Sequence, residues 1–99
     1  MGKPYTSGFW TVIPGREEEF VAGWRALAQW AAEEFPGAGP PRLLRDLEKP
    51  NRFVSFGPWR DVDQITAFRN HPEFGRHVAA IRVLLEDFEP RTLEAVVEP

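Results

Sequence analysis

The chain carries two histidines, His71 and His77, two serines, Ser7 and Ser55, and no cysteine. Few kinds of side-chain chemistry fit such a set. Zinc-type sites place ligands three or four residues apart on one helix face. His71 and His77 stand six apart, which turns them about 120° from one another on a helix, and His71 precedes Pro72. Carboxylates are numerous but scattered, so no metal site is expected. Neither serine sits in a Gly-x-Ser-x-Gly turn of the kind that exposes a nucleophile, and both fall in segments that read as strands. Gly37-Ala38-Gly39 runs into two prolines rather than into a helix, so it is not a phosphate-binding loop, and no nucleotide or other cofactor is expected. The net charge is −3 with no basic stripe, which argues against a nucleic-acid partner.

What the chain has in quantity is aromatic rings, at 13% of residues with four tryptophans. Such rings carry large apolar areas and dominate both cores and ligand pockets. Trp24 and Leu27, Phe56, Trp59, and Phe68, Phe74, His77 and Val78 come from four separate segments. If those segments converge, the residues line a common apolar cavity of the kind that takes small molecules. The candidate pocket residues are therefore Trp24, Phe56, Trp59, Phe68, Phe74 and His77. His77 lies at the edge of an apolar helix stripe. There it either reaches the cavity as a donor or proton acceptor, or stands solvated at the helix edge. Trp24, Trp59 and the phenylalanines have the alternative of an ordinary aromatic core.

The elements that would bring them together follow from periodicity. Tyr5 to Ile13 is rich in β-branched and aromatic residues and predicts a strand that Pro14-Gly15 ends. Glu17, Glu18 and Glu19 suit the first turn of a helix, and Phe20, Trp24, Leu27, Ala28, Ala31 and Phe35 share one face up to Pro36-Gly37. Trp30 falls about 120° off that stripe, so it is half exposed or covered by another surface. Arg42 to Glu48 and Arg52 to Phe56 predict an antiparallel hairpin around Lys49-Pro50-Asn51. Asp61 with Gln64 forms a capping box for a second helical region, which His71-Pro72 interrupts. Phe74, Val78, Ile81, Leu85 and Phe88 continue it at spacings of four, three, four and three until Pro90. Arg91 to Val97 alternates as a last strand.

The order β-α-β-β-α-β predicts an α+β, ferredoxin-like domain over residues 1–99: an antiparallel four-stranded sheet with two helices on one face. The opposite sheet face is left bare, which is a liability for a small monomer. A homodimer through the sheet faces, closing a dimeric α/β barrel, would cover it. No apolar run approaches the roughly 20 residues that span a bilayer, and no signal-type segment opens the chain, so a cytoplasmic protein without a membrane partner is expected.

In order along the chain, Pro14-Gly15, Glu19-Phe20 and Trp24, Pro36-Gly37, Leu44-Arg45-Asp46, Phe53 to Asp61, Phe68-Arg69, His71-Pro72-Glu73-Phe74 and Thr92-Leu93-Glu94 resemble the antibiotic biosynthesis monooxygenase family. The resemblance covers nearly the whole chain and is more specific for fold than for activity. It implies a homodimer, with a pocket in each subunit between sheet and helices. It also implies, for some members, oxygenation of phenolic or quinol-type compounds without metal or flavin, the substrate itself reducing oxygen. In that picture Trp59 matches a tryptophan at the end of the third strand, and Trp59 and His77 are the candidate catalytic residues, His77 or a pocket water taking a proton. A small ligand bound without chemistry is the alternative. A haem-degrading branch of the same superfamily fits less well, because its asparagine, tryptophan and histidine positions hold Gly8, Phe68 and Val78 here, with His77 one position off.

Overall fold

The computed structural model describes residues 2–98. Four strands and three helices follow in the order β1 (Pro4–Val12), α1 (Glu17–Glu34), β2 (Arg42–Arg45), β3 (Arg52–Pro58), α2 (Val62–Asn70), α3 (Pro72–Arg82) and β4 (Leu85–Glu94). The strands form one antiparallel sheet in the order β2-β3-β1-β4, the ferredoxin-like arrangement. β1 lies in the interior because its alternating residues are buried toward the helices: Gly8, Trp10 and Val12 all point there.

Local chemistry sets most boundaries. Gly15 adopts a left-handed φ of 95°, which glycine reaches without steric cost, and its N–H donates to the Glu17 carboxylate at 2.8 Å. Asp46 stops β2 three residues short of the expected Glu48. Its carboxylate accepts from the N–H groups of Glu48 and Lys49, closing the turn before the ladder can continue. Asp61 caps α2 by accepting from Gln64 N at 2.8 Å, as the capping box predicts. His71 ends α2 and starts α3 in one residue: its backbone is extended, and its Nδ1 accepts from Glu73 N at 3.0 Å. The second helical region is thus two helices, with Pro72 in the first turn of α3, and the sheet carries three helices instead of two.

The largest correction concerns residues 83–90. The apolar spacing continues helically through Leu85 and Phe88, yet α3 ends at Arg82 and β4 begins at Leu85. Leu85 pairs with Val12 and Phe88 with Trp10, so three residues of β4 span two of β1, and Glu86 is the extra residue of a bulge. The bulge lets residues three apart face the same way. It gives a strand the spacing that a helix would have. Phe88 then stacks on Trp10 with centroids 4.0 Å apart. Pro90 is not a terminator but pairs with Gly8 inside β4, which is tolerated because β4 is an edge strand. β4 in turn ends at Glu94, short of the expected Val97.

The core lies between the sheet and the helices. Trp10, Val12, Phe20, Phe53, Ile65 and Ile81 are buried there, with Phe20 and Val12 fully so. Trp30, which falls off the α1 stripe, is covered: Phe68 lies 5.9 Å from it, His71 4.9 Å and His77 5.7 Å, centroid to centroid. The opposite sheet face stays open, with Phe9 44%, Leu44 50% and Leu93 46% exposed.

Candidate functional site

A cavity of about 330 Å³ lies between α1, α2, α3 and the helix-facing side of the sheet. That is the lower end of the range for small-molecule sites. The register explains why it is there. Across β3, β1 and β4 the helix-facing residues form three rows: Phe53–Trp10–Phe88, Ser55–Gly8–Pro90 and Gly57–Thr6–Thr92. The first row is aromatic and fills the core. The other two are small, so the floor drops away. Above them α1 contributes Ala28, Ala31 and Ala32 where a larger residue would close the gap. Small residues on both sides leave a volume that nothing in the chain occupies.

Gly8 is needed at this point for space. A β-carbon there would stand 2.7 Å from Trp10 Nε1 and 3.0 Å from Ser55 Oγ. Trp10 therefore leans its indole back over Gly8 and donates to Ser55 Oγ at 2.9 Å, a buried bond. Trp59 makes the matching bond at the next row, donating from Nε1 to Thr6 Oγ1 at 2.9 Å. Each hydroxyl accepts from an indole and keeps its own O–H to donate. The polar side chains of the cavity wall are thus the Ser55 and Thr6 hydroxyls, each tied to a tryptophan, Ser7 on the other side of β1, and one cation.

That cation is Arg69, on α2 at the cavity wall. It donates to Thr92 Oγ1 at 2.5 Å and to the Arg91 carbonyl at 3.1 Å. Burial pulls its pKa below the ordinary arginine value, but a guanidinium remains charged in neutral water. Among the residues that line the cavity, Arg69 is the only one with a titratable side chain.

The residues expected from the sequence divide in three. Trp24, Trp59, Phe68 and Phe74 line the cavity together. Trp59 is 5% exposed, packs 4.6 Å from Phe68, and is held by its own backbone N–H donating to Pro4 O at 2.9 Å. Phe56 borders the cavity but pairs with Ser7 and Arg42, one step from Ser55, so strand alternation turns its ring toward the open face of the sheet. His77 does not line the cavity. α3 presents Phe74 and Val78 to it, while the His77 ring lies 5.7 Å from Trp30, one helical step round. Proton acceptance inside the cavity by the His77 side chain has no geometric basis. Thr6, Ser55 and Arg69 supply the polar contacts instead. Alternation along Thr6-Ser7-Gly8-Phe9-Trp10 places Thr6 and Gly8 beside Trp10, and this was the available signal for Thr6. Arg69 had none beyond its adjacency to Phe68.

Residues 6–80 match the family model described as antibiotic biosynthesis monooxygenase. The chain belongs to this family. Among solved structures, a cofactor-independent oxygenase from Streptomyces nogalater, SnoaB, is similar at 26% identity with a TM-score of 0.88, over 99% of this chain and 97% of that one. A mutant of the same protein gives 0.89 with the same coverage. A family candidate from Bordetella bronchiseptica, 22% identical over 98% of this chain and all of its own, gives 0.83 and shares the fold. No match was found among the curated proteins. This antibiotic biosynthesis monooxygenase family member shares its ferredoxin-like fold with those structures over nearly its whole length. Among the described residues, no helix of this family member is long and apolar enough to cross a membrane.

Proposed function

We propose that this antibiotic biosynthesis monooxygenase family member is a cofactor-independent monooxygenase acting on a small aromatic, phenolic or quinol-type compound. One observation carries the reading. The chain holds open an apolar cavity of about 330 Å³, roofed by alanines and closed at one end by Trp59, and does so at the expense of packing it could otherwise have made. The name of SnoaB, a cofactor-independent oxygenase, supports the reaction class.

The geometry suits a reaction in which the protein positions and desolvates while the substrate provides the electrons. Aromatic faces of Trp24, Phe68 and Phe74 hold a planar ring system. The Ser55 and Thr6 hydroxyls donate to a carbonyl or phenolic oxygen of the bound compound. A phenolic substrate gives up two hydrogens, one from a ring carbon and one from its hydroxyl, and gains one oxygen atom as a quinone carbonyl. The second atom of dioxygen leaves with those hydrogens as water. The first proton departs to a pocket water, since among the described residues no carboxylate or imidazole lines the cavity. The active unit in this reading is a homodimer whose open sheet faces meet.

Oxygen uptake over a panel of polyphenols and quinols tests the reaction. Uptake without added metal or flavin, lost in Trp59→Ala and in the cavity-filling Ala31→Phe, is the expected result. The absence of a side-chain acid or base from the cavity favours one competing reading, a small-molecule binder without chemistry. Ligand-dependent thermal stabilisation with no oxygen uptake from any panel compound would establish that reading and reject the monooxygenase.

A further inference from the structure

We infer that Arg69 makes the cavity selective for aromatic compounds carrying an ionised oxygen, a carboxylate or an acidic phenolate, next to the ring. The inference rests on the reading of this cavity as the ligand site.

A guanidinium has five N–H donors in a planar fork. On Arg69 one donates to Thr92 Oγ1 and one to the Arg91 carbonyl, both neutral acceptors. Among the described residues no carboxylate lies within salt-bridge distance of Arg69. Arg25, Arg42, Arg45, Arg52 and Arg82 share that lack, but of these six only Arg69 lines the cavity, while Arg25 and Arg45 face the open groove between α1 and β2. Arg69 is also the arginine drawn most clearly away from water, because burial lowers its pKa. A partly desolvated cation without a counter-charge is costly unless something supplies one. Its position indicates where that charge would come from. Thr92 is the direct cross-strand partner of Thr6, and Thr6 accepts from Trp59. Arg69 and Trp59 are therefore anchored to neighbouring residues of one sheet row, Trp59 through Thr6 in the cavity wall and Arg69 through the exposed Thr92 beside it. Phe68, the next residue on α2, packs on Trp59 and Phe74. A ring lying against these aromatics would carry a substituent oxygen toward the fork, where charge-assisted bonds are stronger and shorter than neutral ones.

The Thr92 and Arg91 contacts also hold the fork in place, so that it is organised before a ligand arrives. A flexible lysine at the same site would lack that second tether, which makes the position one where arginine and lysine differ.

The test uses 2-naphthoate and its neutral isostere 2-naphthamide, titrated into the full-length protein at neutral pH with tryptophan fluorescence as the signal. The wild-type protein is expected to bind 2-naphthoate about tenfold more tightly than 2-naphthamide. In Arg69→Gln the preference disappears while 2-naphthamide binding stays, and Arg69→Lys restores it in part. Should Arg69→Gln not fold, the wild type provides a separate measurement. Raising sodium chloride from about 20 mM to about 500 mM weakens 2-naphthoate binding and leaves 2-naphthamide unchanged, because only the charged contact is screened. Equal affinity for the two probes, or a preference that survives Arg69→Gln or is blind to salt, overturns the role of Arg69 and leaves the cavity reading intact. Failure of both probes to bind, with identical results from Ala31→Phe, overturns the cavity reading itself.

Discussion

The indole N–H of Trp10 bonds to the Ser55 hydroxyl at 2.9 Å, across the two central strands and over the bare backbone of Gly8. This bond fixes the boundary between filled core and open cavity. On one side of it Trp10 stacks on Phe88 and packs against Phe20 at 5.3 Å. On the other the floor is made of Ser55, Gly8 and Pro90. Ser55→Ala leaves a buried indole N–H without its partner, and the expected loss is about 1–3 kcal/mol in denaturant unfolding. Ser55→Thr retains the hydroxyl and is expected to recover most of it. Unchanged stability in Ser55→Ala would mean that water replaces the hydroxyl and that the Trp10 orientation is set by packing alone.

The open sheet face predicts an association state. Phe9, Leu44 and Leu93 stand on that face with large exposed areas, and Leu44, Val54 and Phe9 are direct cross-strand neighbours. A face-to-face homodimer would cover them, and the thermal midpoint is then expected to rise with protein concentration. Phe9→Lys places a charge in the middle of the buried pair and is expected to halve the mass seen by sedimentation equilibrium. A wild-type chain that sediments as one copy at micromolar concentration would rule the barrel out.

Asp61 predicts a pH dependence. Its carboxyl pKa is held below the ordinary carboxylate value, first by the bond from Gln64 N and then by the bond from Arg60. A depressed folded-state pKa contributes stability that is complete above the unfolded value, about 3.9, and is lost as pH falls through the folded value. Asp61→Ala is therefore expected to melt at a lower temperature than wild type at pH 7, with the gap closing below about pH 3.9 as the wild-type cap protonates. Asp61→Asn keeps an acceptor for the Gln64 N–H and should show a smaller gap at pH 7, which narrows over the same pH range because the titrating group is the wild type's carboxylate. A gap that is the same at every pH in Asp61→Ala would indicate that the carboxylate charge plays no part in the cap.

Much of the fold was legible because it depends on near neighbours. The Asp61–Gln64 capping box, the Pro14-Gly15 break and the alternation of β1 act over a few residues, and local energetics decide them. So does the split at His71-Pro72. Trp24, Trp59, Phe68 and Phe74 were legible as pocket residues for a related reason: large rings on converging faces have nowhere else to go. His77 misled because its spacing is right and its direction is wrong, while Phe56 reaches the cavity border with its ring turned by strand alternation toward the other face. A single step along a helix or strand turns a side chain by 100° or 180°, which is more than a cavity wall subtends.

The residues 83–90 show where periodicity alone runs out. Their apolar spacing fits a helix and a bulged strand equally well, and only the pairing of Phe88 with Trp10 and of Leu85 with Val12 chooses between them. The same holds for Arg69 and Thr92, which are 23 positions apart in sequence and meet because two edges of the site close on each other. By itself the sequence determined the order of elements, the amphipathic faces and the family, since these follow from local propensity and patterning. Only the tertiary structure decided that two rows of small residues lie beneath a roof of alanines, because a void belongs to no single segment and exists only where several are brought together.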